Sequence, residues 1–122
     1  MTAISVMMDV SRSIAYHALD TTALNKMWAE LTCYPEYTIS GSPLASAYSA
    51  CVDYSHACEC TERIESRERK ERDSVTRSAL YKALKTAEET EEKSRIQALA
   101  NIAIAIAFMQ VACDAYIAGG SA

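Results

Sequence analysis

Glycine and proline are nearly absent from this chain, at three and two in 122 residues. Between Leu44 and Ala118 neither occurs. An all-β domain needs turn residues at short intervals, so that class is excluded. The abundance of alanine favours helix instead. Histidine is scarce as well, at two, and neither lies in a nucleophile motif such as GxSxG. There is no P-loop and no GxGxxG, and no pair of carboxylates is spaced for acid–base work. An enzyme is therefore not expected, and no cofactor is implied. The opening residues, MTAISVMMDVSRS, lack the charged start that precedes the apolar part of a secretory leader. Together with an odd count of five cysteines, this predicts free thiols in a reducing cytoplasm.

Charge of one sign is also missing. The net charge is −4, and its distribution is uneven. Residues 1–60 carry Arg12 and Lys26 against six carboxylates, whereas residues 61–95 hold ten basic and nine acidic side chains. An acidic end beside a mixed middle gives little general attraction for nucleic acid or anionic lipid.

Half of the residues are apolar, and a chain of this length can bury a core without a disulfide or a metal. A single helical domain over residues 1–122 is expected. Met7, Val10, Ile14 and Ala18 recur at helical spacing, as do Leu24, Met27, Trp28 and Leu31. These predict helices over 5–19 and 22–33, either separate or joined in one bent rod. The β-branched Ile4, Val6 and Val10 leave an extended N-terminus as the alternative. Pro35 and Gly41 mark a loop over 34–43, after which Ser42 caps a helix with Pro43 in its first turn. The segment TERIESRERKERD has one large apolar residue, Ile64, so 61–73 reads as a charged helix projecting from the core. Asp73 or Ser74 can start a further helix. Ser94 and Gln97 form a capping box, which predicts a turn near Thr90 to Lys93, with a continuous helix through it as the alternative.

The run NIAIAIAFMQ alternates like a strand, yet its apolar pattern extends over twenty residues without turn chemistry, too long for one. Gln97, Asn101, Gln110 and Asp114 interrupt it as a membrane span, so no membrane association is expected. At 100° per residue it becomes a helix with two bulky stripes. Leu99, Ile102, Ile106, Met109, Cys113 and Ile117 form one. Ile104, Phe108 and Val111 form the other, with alanines between. The fold expected is an all-α bundle of four to five helices, with the C-terminal helix, about 94–118, at its centre. The second stripe then meets this chain's own helices or seals a homo-oligomer.

Three constellations could carry a function. Asp53, His56 and Cys60 share one helical side at i, i+3 and i+7 and could hold a metal, aided by His17 and Asp20. Against this, no CxxC turn folds the ligands together, and a polar face that contains a histidine is the simpler reading. Cys51 and Cys58 lie with Leu44 as small core residues. Arg63, Arg67, Lys70 and Arg77 align on one face and could follow phosphates. Bordering glutamates and the lack of interleaved aromatics favour a solvated helix that docks on protein. Tyr34, Tyr37, Tyr48 and Tyr54 cluster in sequence, and tyrosine is enriched at interface hot spots. The expected function is a small non-enzymatic cytoplasmic protein that binds another protein through these tyrosines and through Arg63, Arg67 and Lys70. Inhibitors such as immunity proteins, or phage-encoded antagonists of bacterial defences, are of this size and type. A metal- or redox-responsive bundle and a nucleic-acid-binding protein are the alternatives.

Overall fold

The computed structural model describes the backbone of residues 2–16, 19, 21–32 and 42–120, and the side chains of these except 2, 3, 21 and 112–120. Among the described residues the protein is all-α, with four helices and no strand. They are α1 (Thr2–Ala15), α2 (Thr21–Thr32), α3 (Pro43–Lys70) and α4 (Ser74–Gly120).

α1 starts earlier than its apolar spacing predicts and takes up Ile4 and Val6 as helix. It ends at Ala15, where the Tyr16 N–H donates to the Arg12 carbonyl at 3.1 Å. α1 and α2 are therefore two helices and not one bent rod. Each offers an apolar stripe at three-four spacing: Met7, Val10 and Ile14 on α1, Met27 and Leu31 on α2, all buried. Most of the expected 34–43 loop, with Tyr34 and Tyr37, lies outside the described residues. At its end Ser42 is extended, and its hydroxyl accepts from the Ala45 N–H at 3.1 Å. Pro43 follows in the first turn, where its missing N–H breaks no helical bond.

The reversal between α3 and α4 is made by carboxylates, without glycine or proline. Glu71 Oε1 accepts the N–H groups of Arg72 and Asp73, both at 3.1 Å. Asp73 Oδ2 then caps α4, accepting from Thr76 N at 2.9 Å and Thr76 Oγ1 at 2.7 Å. These bonds favour the ionised form and lower the Asp73 pKa.

α4 runs for 47 residues without a break. Of the two readings of Thr90 to Lys93 the continuous helix holds: the turn does not form, and Ser94 lies inside the helix. Local chemistry explains this. The hydroxyls of Thr86 and Thr90 bond back to the carbonyls of Lys82 and Thr86 at 3.3 and 3.0 Å. Arg95 grips Glu92 through two bonds, 2.9 and 2.6 Å long. Residues 91–93 are glutamate and lysine, which are good helix formers, and no glycine or proline stops the helix there.

α3 and α4 form an antiparallel pair with the most extensive contact in the fold. α1 packs on α4 and α2, and α2 also touches α3. The core lies where all four meet, from Leu44, Ala47, Cys51 and Tyr54 of α3 to Ala98, Ile102, Ala105 and Met109 of α4. Alanines on both sides of this seam let the helices approach closely. Away from that core α3 and α4 continue side by side to their turn, and over 55–95 only Thr61 and Leu84 are buried.

Candidate interaction surfaces

The antiparallel register brings four side chains together at the inner end of the α3–α4 hairpin. Tyr54 of α3 is 1% exposed. Cys58 stands one turn on and faces Glu91 of α4, and side-chain hydrogen bonding couples Tyr54 to Cys58 and Cys58 to Glu91. Arg95, one turn beyond Glu91, is close enough to act on Tyr54 and pairs with Glu92. Burial, then the bond to the Glu91 carboxylate, pushes the Cys58 thiol up to about 11. Burial, then the bond to Cys58, raises Tyr54 above its ordinary value. Cys51, one face up in the core, is pushed to about 12 by burial alone. Neutral, hydrogen-bonded and buried groups of this kind hold a helix pair in register. They are poor nucleophiles, because the thiolate is the reactive form and it is disfavoured here.

Tyr54 therefore does not belong to a contact surface, contrary to the expectation from its place in the tyrosine cluster. Tyr48 is half-buried and packs on Trp28 of α2, with ring centroids 5.1 Å apart and planes tilted by 42°. Trp28 keeps about half its surface exposed, so this aromatic pair forms one small outward patch.

Asp53, His56 and Cys60 are all exposed on α3. From Asp53 to Cys60 the helix rises about 10 Å, too far for the three to share one ion without help from another element. No group of three His, Cys, Asp or Glu side chains among the described residues is placed to hold a metal. His17 and Asp20 fall outside those residues. Asp53 instead borders a shallow polar cleft with Ser46, Ser49, Gln97 and Asn101.

The arginine stripe is shorter than the sequence suggests. Arg63, Arg67 and Lys70 share the exposed face of α3, but Arg77 lies beyond the turn on α4. Arg63 reaches Glu59, one turn back on the same helix, at 3.8 Å. Asp73 caps α4 rather than pairing with Arg77. Among the described residues Arg67, Arg69, Lys70, Arg72 and Arg77 enter no ion pair. The outer end of the hairpin thus carries exposed cations, and Glu88, Glu89, Glu91 and Glu92 gather nearer the core.

The two stripes of α4 differ sharply. Ile102 is fully buried, with Ala98, Ala105 and Met109 beside it. Ile104 is 59% exposed, Val111 69% and Phe108 41%. The alanines between them, Ala100, Ala103 and Ala107, are exposed too. One stretch of α4 within Ser74–Val111 is long and apolar enough to cross a membrane by length and composition, and 22% of it is buried.

Comparison with known proteins adds no relative: no family model, no curated protein and no solved structure matches this chain.

Proposed function

We propose that the protein is a non-enzymatic cytoplasmic module that binds another protein, with α4 as the central helix of a bundle at one end and the α3–α4 hairpin as a projecting arm at the other. The observation that supports this is the arm itself. It is long and regularly helical, it buries almost nothing, and it displays cations with no internal partner. Exposed, unpaired charges on a braced helix give specificity and a fast encounter with a complementary surface. Arg67 and Lys70, with Arg63 one turn nearer the core, are the contact residues on this reading, and the partner presents an acidic face. Glu65, Glu68 and Glu71 lie among these cations and weaken the case for nucleic acid, whose phosphates they would repel. A small inhibitor or antagonist is the functional class that fits such a module.

Affinity capture from the producing cell, comparing the wild type with Arg67→Glu combined with Lys70→Glu, tests this. Both positions are exposed, so the melting temperature should not move. A protein recovered by the wild type and lost in the double variant is the expected result. A protein retained equally by both, or none enriched by either, contradicts the reading.

A further inference from the structure

The outer face of α4 carries bulk and notch side by side. Ala100, Ala103, Ile104 and Ala107 stand at i, i+3, i+4 and i+7 and outline a single hole of the kind that accepts one side chain of a facing helix. The side chain shaped for that hole is on the same face: Ile104, 59% exposed, with Val111 two turns on. A surface that holds both the knob and its own hole is what a two-fold contact requires. We propose that two copies of this chain associate through this face, with their α4 helices antiparallel and the two-fold axis beside Ile104.

Length and size agree with this occupant. α4 continues as helix from Ile104 to Gly120 on one side and back to Ser74 on the other, so two copies overlap on both sides of the axis. The exposed apolar stretch from Ile96 to Val111 is about 22 Å long. Two such faces bury on the order of 1,000 Å² in total, the lower bound for a specific interface. That size gives a concentration-dependent dimer and not an obligate one. A bilayer fits less well. The opposite face of the same stretch is sealed by α1 and α3, whose exposed Asp9, Arg12 and Asp53 would have to leave water with it. The antiparallel arrangement also has a consequence for the proposed arm, which is a separate reading tested separately. Each turn lies about 45 Å from Ile104, so the two tips point in opposite directions, about 90 Å apart.

Light scattering on a sizing column, from about 1 to about 200 µM protein, tests the proposal, with small-angle scattering at the upper end. The expected result is a mass that rises toward twice the monomer, with a particle too long for tips held together. Ile104→Glu should weaken association at least about thirtyfold. Ala100→Leu should weaken it about tenfold by filling the hole, whereas a merely sticky surface would associate more strongly with the added leucine. Circular dichroism checks that both variants stay folded, and both positions are exposed. A strict monomer, a dimer indifferent to Ile104→Glu, a stronger dimer in Ala100→Leu, or flotation with phosphatidylcholine vesicles that Ile104→Glu abolishes would each overturn it.

Discussion

Replacing Ile102 with alanine destabilises the protein by about 2–5 kcal/mol, while the same replacement at Ile104 changes stability by less than about 0.5 kcal/mol. The two residues are alike and two positions apart. Their environments are opposite: Ile102 is enclosed by the α1–α3–α4 core, and Ile104 faces outward. Truncating Ile102 removes apolar surface that folding takes out of water and leaves a cavity among neighbours that are already close-packed. Truncating Ile104 leaves no cavity, and alanine even has the better helix propensity. Urea unfolding at sub-micromolar protein, where association does not contribute, measures both. A strand would place both isoleucines on one face and give equal losses. Equal losses would therefore refute the helical partition of this run.

Stability should also fall steeply in alkali, starting near pH 9. Cys51 titrates at its ordinary 9.0 when unfolded, and burial raises it to about 12 in the folded core. Above pH 9 the unfolded chain has lost a proton that the folded chain keeps, so unfolding becomes more favourable with each further step in pH. The contribution is fully present below pH 9 and has gone by about pH 12. For Cys51 it is on the order of 4 kcal/mol. Cys58 acts in the same direction between 9.0 and about 11. Tyr54, raised from its ordinary 10.0, adds to the loss above that pH. Urea midpoints from pH 8 to 11 under reducing conditions give the slope. Cys51→Ala should lower stability at pH 8, because it leaves a small cavity, and flatten the decline above pH 9. A decline equally steep in that variant would show that the core thiol is not its source.

The helical class and the identity of the core face were legible because both depend on spacing within one element. Met7, Val10 and Ile14 repeat every three or four residues, and so do Leu99, Ile102, Ile106 and Met109; burial in or against the core follows from that period. Cap chemistry was legible at Ser42 and at the start of α4 for the same reason. The register between α3 and α4 was not legible. It depends on where the chain reverses, and two reversals were expected where one occurs. The capping box Ser94–Gln97 suggested the second, but propensity and the Arg95–Glu92 pair carry the helix through it. With a break there, Glu91 and Arg95 could not be placed opposite Tyr54 and Cys58, and Tyr54 read as one more surface tyrosine. Counting outward from the single turn at 71–73 brings them level. The arginine stripe is shorter than its spacing suggests for the related reason that Arg77 stands beyond that turn, on α4.

One unbroken helix that gives one face to the core and another to solvent is the claim on which the rest depends. Backbone NMR of α4 tests it most directly, through carbon chemical shifts and amide exchange along Ser74 to Val111. The account predicts helical shifts through Thr90–Lys93 without interruption, with the slowest exchange from Ala98 to Met109. Coil shifts at Thr90–Lys93, or extended shifts in the Ile–Ala run, would contradict it.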